Sequence, residues 1–273
     1  MLEWMRSDPI AFFRFMAYRA PAVLIALTLH ELSHGYIAWR CGDPTAKNAG
    51  RLSLNPFKHL SLIGTLMMFT VGMGWAKPVP VNPNYFKNGR RDDLLVSIAG
   101  VTMNFFLFLL ATFIMIFVNE YVWQEKLFGL SELTSRYGLM CFEGENFWQI
   151  LSSNEHLITE IRGSNYYGVE VAKWLNTGWL IHVQRFLYQF ALCNLGMCIF
   201  NLIPFPPLDG FHVVNDILLR GKLKLNAQTF RIAMIALLVL MNTTDIVSNI
   251  IGKVQYFIQG NILNGLLVLF RLQ

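Results

Sequence analysis

Charged residues are scarce in this sequence, and their scarcity argues against an ordinary soluble domain. Only 14% of the 273 residues are Asp, Glu, Lys or Arg, whereas soluble domains carry about 25%. Hydrophobic residues make up 54% of the chain, and its mean hydropathy is +0.42. This composition predicts a multispanning membrane protein.

Cysteine, internal repeats and low-complexity tracts are also few or missing. The four cysteines do not form a disulfide framework, and the two in an apolar run are expected to pack as small hydrophobes. No repeat is detectable, which disfavours the internally symmetric transporters. The N-terminus has no recognisable cleavage site, so the first span is expected to stay in the mature protein. The cysteines are Cys41, Cys141, Cys193 and Cys198.

The net charge of +5 comes from bases in the segments that connect the apolar runs. This distribution is expected of cytoplasmic loops under the positive-inside rule. It predicts a lipid bilayer, and no nucleic acid, as the environment of the chain. The bases are Lys47, Arg51, Lys58, Lys77, Lys87, Arg90, Arg91, Arg220, Lys222 and Lys224.

Apolar runs recur from residue 10 to residue 270 and predict an α-helical polytopic membrane protein with about five to six transmembrane helices. Leu60–Trp75 is too short to span comfortably and has basic loops on both sides, so we expect a re-entrant segment. Prolines in Gly74–Asn82 favour extended backbone. Residues 1–20 are either an interfacial helix or the start of the first span. The predicted spans are Pro21–Trp39, Leu94–Val118, Phe186–Leu208, Ile232–Gly252 and Val254–Phe270.

Residues 119–180 are polar, acidic and mixed in pattern. Alternation of the spans across the bilayer places this insert outside the cytoplasm. Because apolar segments continue on both sides of it, we interpret residues 1–273 as a single membrane-embedded domain with an extracytoplasmic insert at 119–180.

The polar pentad His30-Glu31-Leu32-Ser33-His34 lies at the end of the first apolar run. On a helix, positions i and i+4 share one face, so the two imidazoles can bind one metal ion. Glu31 follows the first histidine and is close enough to take a proton from water, as in the H-E-x-x-H motif. Ionisable side chains within a span are costly and usually functional. The alternative is a chance pentad with two ordinary histidines.

A catalytic zinc ion needs a third protein ligand. Asp209 is the best candidate, because it follows the span Phe186–Leu208, whose end is predicted on the same side as the pentad. Prolines at 204, 206 and 207 break the helix there and can turn Asp209 inward. An ordinary Asp-Gly turn at the membrane boundary remains the alternative.

Together these motifs resemble the site-2 protease family of intramembrane zinc metalloproteases, in its compact prokaryotic form without PDZ or CBS domains. The resemblance implies one catalytic Zn²⁺ held by His30, His34 and Asp209, with Glu31 activating the water and Asn201 holding substrate or the developing oxyanion. One departure is Gly100-Val101, where the family usually has Gly-Pro. The motifs are His30-Glu31-x-x-His34, Gly50–Pro56, Gly74–Asn82, Ala99-Gly100-x-x-x-Asn104 and Asn201-x-x-Pro204-x-x-x-x-Asp209-Gly210.

The functional hypothesis is peptide-bond hydrolysis within or near the transmembrane segment of a membrane-protein substrate. The chain is expected in a prokaryotic cytoplasmic membrane, with its active site toward the cytoplasm. The sequence assigns no substrate identity and no oligomeric state. The alternative is a non-proteolytic membrane metal-binding protein or transporter, in which the same polar residues line an ion path.

Overall fold

A computed structural model describes residues 1–70, 74–122, 157–162, 165–170, 178–223, 225–244 and 246–269. Within these ranges the chain is mostly helical, with short 3₁₀ turns at Pro56–Lys58 and Pro83–Tyr85. The helices are α1 Leu2–Ser7, α2 Pro9–Cys41, α3 Thr45–Asn48, α4 Leu62–Thr70, α5 Gly89–Val122, α6 Leu180–Asn201, α7 Asp209–Ile217, α8 Ala227–Thr243 and α9 Ile246–Leu269; the strands are β1 Leu157–Arg162 and β2 Asn165–Glu170.

The chain divides into two compact units. The first comprises Met1–Leu2, Pro21–Leu109 and Leu192–Gln255, and the second comprises Glu3–Ala20, Leu110–Ala191 and Tyr256–Gln273. The core of the first unit includes Ala26, Ala38, Val96, Leu195 and Phe211, all buried. The core of the second includes Phe12, Met16, Met115, Leu187 and Phe190, also buried.

Helix α2 carries the pentad and begins well before the predicted span. Residues 9–20 continue without a break into 21–41, with Pro21 inside the helix, so they form the start of the same helix. The helix ends at Cys41, and the next residue, Gly42, has φ +112°. Gly42 N–H donates to Trp39 O (3.1 Å) and Asp43 N–H to Ala38 O (2.9 Å). This pair of bonds is a Schellman motif, and the predicted stop at Gly42 is confirmed.

Two helices among the described residues are long and apolar enough to cross a membrane, over Pro9–Cys41 and Gly89–Val118. The second begins five residues before the predicted Leu94, because Gly89 and the charged residues 90–93 form its first turns. Several large apolar side chains on α5 are exposed, as expected of a lipid-facing surface. The helical class is therefore confirmed, with two helices that could cross a membrane, while the full number of spans and the re-entrant segment remain predictions.

Three further predicted spans have the wrong bounds. The predicted span Val254–Phe270 begins earlier, because helix α9 runs from Ile246 to Leu269 and continues through the predicted break at Gly252. Helix α6 ends at Asn201 and not at Leu208, because prolines at 204, 206 and 207 cannot continue a helix. The predicted span Ile232–Gly252 is wrong as one helix: α8 ends at Thr243, and Thr244 adopts extended backbone. The hydroxyls of Thr243 and Thr244 bond to Val239 O and Leu240 O at this end, a local alternative to continuing the helix. Asp245, which the prediction placed inside that span, lies outside the described residues.

The segment predicted to be re-entrant forms the short helix α4, and the chain then runs back alongside its own start. Leu60 and Ala76 form an isolated antiparallel bridge, and Lys77 N–H donates to His59 O (2.7 Å). A Cβ atom on Gly64 would lie 2.8 Å from Trp75 N. Only glycine therefore permits this close approach of helix and returning chain.

Strands β1 and β2 pair antiparallel, with Leu157 opposite Glu170 and Arg162 opposite Asn165. They belong to the second unit and lie within the predicted insert 119–180. Most other residues of that insert lie outside the described ranges, so its extracytoplasmic placement remains a prediction.

Candidate metal centre

The two histidines of the pentad meet Asp209 in the first unit, although 175 positions separate Asp209 from His34. The one ligand atom that each residue offers lies within 4.8 Å of the other two. His34 Nε2 is 3.1 Å from His30 Nε2. Asp209 Oδ2 is 3.4 Å from His30 Nε2 and 3.3 Å from His34 Nε2. The spacing on α2 therefore produces the shared imidazole face that the sequence predicts.

Neighbouring groups orient both imidazoles. His34 Nδ1–H donates to the carbonyl oxygen of Val96 (2.7 Å) on α5. His30 Nδ1–H donates to Asn104 Oδ1 (2.6 Å), and Asn104 Nδ2 in turn donates to Asn194 Oδ1 (2.8 Å). Because each Nδ1 is the protonated nitrogen in these bonds, each Nε2 is left with a lone pair for a metal.

Asp209 begins helix α7, with Leu208 as its N-cap. A carboxylate in the first turn interacts favourably with the positive end of the helix dipole. A Cβ atom on Gly210 would lie 2.6 Å from Ile203 O, so glycine is required where this turn packs under the helix start. The predicted inward turn after the prolines therefore brings Asp209 to the histidines.

The residues fit a zinc ion. In a regular tetrahedron with metal–ligand bonds of about 2.0–2.2 Å, ligand atoms are separated by about 3.3–3.6 Å. The three separations, 3.1, 3.3 and 3.4 Å, lie close to this range. Asp209 Oδ2 is buried and makes no hydrogen bond within the described structure. A buried carboxylate oxygen without a donor is costly, and a cation between the three groups would satisfy it.

Gly100 allows α5 to approach the two imidazoles. A Cβ atom at this position would lie 2.5 Å from His30 Cε1 and 2.7 Å from His30 Nδ1, and closer still to His34 Nε2. The site therefore depends on a bare backbone at residue 100. The residue after it, Val101, is buried within α5. The helix therefore continues through the position where the family named in the sequence analysis usually has proline.

Glu31 lies beside the cluster on α2, and its carboxylate contacts the extended segment that was predicted near the site. Val79 N–H donates to Glu31 Oε2 (2.8 Å). This is the single hydrogen bond that the described structure gives the Glu31 side chain. The second carboxylate oxygen of Glu31 therefore has no hydrogen-bond partner in that part of the chain.

Asn201, the last residue of α6, is half-buried. Its Nδ2 donates to Met197 O (3.0 Å) in the same helix. Within the described residues no hydrogen bond joins Asn201 to the histidines or to Asp209. Its proposed part in the reaction therefore remains a prediction.

The sequence interpretation gave no role to Asn104 and did not identify Asn194. Both are fully buried, and both lie inside runs that read as uncharged spans. An amide within an apolar helix is costly unless it is paired. The presence of asparagine in each apolar run was therefore the sequence feature that could have identified both residues. Pairing across 90 positions cannot be read from one sequence.

The family-model comparison matches residues 18–243 to peptidase family M50. The Bacillus subtilis protein "Putative zinc metalloprotease YwhC" is 31% identical over 206 residues, which cover 76% of this chain and 71% of that protein. "Putative zinc metalloprotease Rip2" of Mycolicibacterium smegmatis is 30% identical over 111 residues, covering 38% of this chain and 42% of that protein.

A third relative, "Uncharacterized protein MJ0971" of Methanocaldococcus jannaschii, is 26% identical over 221 residues, covering 71% of this chain and 55% of that protein. No solved structure matches the chain. The family match spans His30, His34 and Asp209, the three residues that converge in the first unit. The chain therefore belongs to peptidase family M50, the site-2 protease family, and is a zinc metalloprotease.

Proposed function

We propose that this protein hydrolyses a peptide bond within or near the transmembrane segment of a membrane-protein substrate. The observation that carries the proposal is the convergence of His30, which is buried, with the partly buried His34 and Asp209 near the end of an apolar helix long enough to cross a bilayer. Such a position favours a substrate that is itself in the membrane. Glu31 and Asn201 are proposed as the catalytic side chains.

In this proposal His30 and His34 bind zinc through Nε2 and Asp209 binds it through Oδ2. When bound, zinc polarises a carbonyl group and acidifies a water molecule. Asn104 and Val96 hold the two imidazoles in the orientation required for binding. Partial burial of the cluster reduces its contact with bulk water and strengthens the electrostatic interactions within it.

Glu31 is the proposed general base. Its carboxylate takes the proton of the attacking water and delivers it to the leaving amine nitrogen. The bond from Val79 N–H fixes one carboxylate oxygen and leaves the other for the water. Asn201 is proposed to hold substrate or the developing oxyanion through its side-chain amide.

A substrate helix must unwind locally before its peptide bond is accessible, and Lys77–Asn82 is proposed to receive the unwound strand. Pro78 and Pro80 have no N–H group, and the N–H groups of Lys77, Val79 and Asn82 bond to other parts of the protein. Only the N–H group of Val81 lacks a described partner. In contrast, none of the carbonyl groups of residues 78–81 has a described partner, so this edge favours a substrate strand that donates N–H groups.

The proposed topology has the metal cluster on the cytoplasmic side of a prokaryotic cytoplasmic membrane. Leu60–Trp75 is proposed to be re-entrant, and the bridge between Leu60 and Ala76 supports entry and exit on the same face. Leu62, Ile63 and Leu66 on α4 are largely exposed, which suits contact with lipid. The chain is proposed to be one membrane-embedded domain of about five to six spans with an insert at 119–180 outside the cytoplasm.

The test is reconstitution of the protein with zinc and a panel of single-span substrates. Glu31→Gln is expected to retain zinc and to lose cleavage, because an amide cannot accept the water proton. Cleavage by this variant at the wild-type rate would exclude Glu31 as the base. Zinc flux across the vesicle membrane, with all substrates intact, would instead identify a transporter.

Asp209→Asn tests the third ligand separately. An amide is a poorer zinc ligand than a carboxylate, so elemental analysis is expected to find less bound zinc than in the wild type. A full zinc content would exclude Asp209 from the metal site.

A further inference from the structure

Asp43 is a buried carboxylate outside the metal cluster, and neither the motifs nor the proposed mechanism gives it a role. It lies two residues beyond α2, and its backbone N–H closes the Schellman motif at the end of that helix. The side chain is completely inaccessible to solvent. Asp43 is therefore held rigidly at the end of the helix that carries His30, Glu31 and His34.

The Asp43 carboxylate accepts hydrogen bonds from two parts of the chain. Oδ1 accepts from the backbone N–H of Thr45 (2.9 Å) and from the Thr45 hydroxyl. Oδ2 accepts from Asn82 N–H (2.7 Å), at the end of the extended segment. These donors are neutral, so their hydrogen bonds must offset the cost of burying a charge.

The extended segment is thus attached to the α2 helix and its cap at two points, three residues apart. Val79 N–H donates to Glu31 Oε2, and Asn82 N–H donates to Asp43 Oδ2. The other end of the segment is held separately, because Arg51 donates to Lys77 O (2.6 Å). If the Asn82 bond were lost, the bond from Val79 N–H to Glu31 would be the remaining attachment of this segment to α2 and its cap.

We infer that Asp43 is a positioning residue for Glu31, acting through the extended segment. Its carboxylate fixes Asn82, and this keeps the Val79 amide where it orients the Glu31 carboxylate. The inference rests on the proposed function, in which Glu31 is the general base. It adds a residue 12 positions from Glu31 that controls the geometry of the base without contacting substrate or metal.

The experiment compares kcat, KM and zinc content of purified, reconstituted wild-type protein and variants on one single-span substrate. Asp43→Asn keeps the size of the side chain but replaces one acceptor oxygen with an NH2 group, so the side chain can no longer accept from both Thr45 and Asn82. We expect a fall in kcat of about tenfold, at the lower end of the 10- to 100-fold effects of outer-shell changes, with zinc content unchanged and KM within about threefold. Thr45→Ala is the matched control, because it removes a bond to the other oxygen, and its kcat is expected to stay within about twofold of wild type.

A double-mutant cycle separates positioning of the base from a general structural effect. If Asp43 acts through Glu31, Asp43→Asn lowers kcat in the wild type but has no further effect on the residual rate of Glu31→Gln. Equal factors in both backgrounds would overturn the inference, as would a loss of zinc in Asp43→Asn. Asn82→Pro removes the same bond from the donor side and is expected to lower kcat as well; a wild-type kcat in this variant would also overturn the inference.

The outcomes distinguish this inference from the proposed function. Unimpaired cleavage by Glu31→Gln would remove the proposed base and the inference with it. Loss of cleavage in Glu31→Gln, together with a normal kcat in Asp43→Asn, would leave the proposed function intact and reject the role of Asp43.

Discussion

Gly100 is the residue at which α5 meets the two imidazoles, and it has no room for a side chain. An added Cβ atom would lie 2.5 Å from His30 Cε1, a distance shorter than real Cβ atoms show. The imidazoles cannot yield without breaking the hydrogen bonds of His30 and His34 to Asn104 and Val96. The geometry of the metal ligands therefore depends on a residue that contributes no functional group.

Gly100→Ala is expected to lower both zinc content and proteolysis by at least about tenfold, comparable to the loss of an outer-shell partner. Elemental analysis and a cleavage assay measure the two effects. Gly252→Ala is the matched control, since a Cβ atom at residue 252 meets nothing within 4 Å and alanine favours a helix. Wild-type zinc content in Gly100→Ala would show that the helices can separate without cost.

Asp216 gives the fold a pH dependence away from the metal ligands. It is buried on α7, and burial, followed by the charge of Asp93, raises the pKa of Asp216 to about 6 while His212 and Arg90 oppose the shift. The folded protein holds this proton more tightly than the unfolded chain, whose value is 3.8. The free energy of unfolding therefore decreases as the pH rises from about 4 to about 6.

Asp216→Asn removes this titration. The difference in Tm between the variant and wild type is expected to be larger at pH 7 than at pH 4.5, in favour of the variant. Each 1 kcal/mol of difference in the free energy of unfolding corresponds to about 2–4 °C in Tm. Thermal unfolding in detergent at the two pH values measures this difference. An equal difference between variant and wild type at both values would contradict the assignment.

At the scale of elements, the extended segment has one N–H group and four carbonyl groups without a hydrogen-bond partner among the described residues. We expect a substrate to be recognised by N–H groups on either side of its cleaved bond. Replacing one such amide by an ester in a synthetic single-span substrate removes the N–H group. KM is expected to rise about fivefold, since one hydrogen bond contributes about 1 kcal/mol.

The same ester placed far from the cleaved bond serves as the control in this experiment. Its KM is expected to equal that of the unmodified substrate. An equal KM for both esters would show that the substrate does not pair with Lys77–Asn82 through its N–H groups.

Local signals predicted the elements that carry the site. The i, i+4 histidines, the stop at Gly42 and the prolines before Asp209 each act over a few residues, and each outcome follows from the sequence nearby. The bond between Asn104 and Asn194 and the contact of Val79 with Glu31 join positions far apart, so no local pattern specifies them. The break at Thr244 was missed because the apolar run continues through it.

At the scale of the whole molecule, the proposed zinc site joins His30 and His34 to Asp209, which is distant from them in sequence. An ion that binds only the folded protein stabilises it by mass action, by about 2.7 kcal/mol at a hundredfold excess over Kd. Removing zinc with a chelator is therefore expected to lower Tm, and added zinc should restore it. Thermal unfolding with and without chelator measures the effect.

His34→Ala provides the comparison, because it removes one ligand and should make Tm insensitive to the chelator. An equal effect of the chelator on both proteins would place the stabilising ion elsewhere.

The separation of the ligands also has a consequence for biosynthesis. His34 leaves the ribosome 175 residues before Asp209, and His30 four residues earlier still. At about 5–20 residues per second this is a delay on the order of ten seconds or more. Throughout this interval the nascent chain has the histidine pair and Glu31 but lacks the third ligand. In the proposed site, the order of the motifs therefore delays completion of the metal centre until most of the chain has been synthesised.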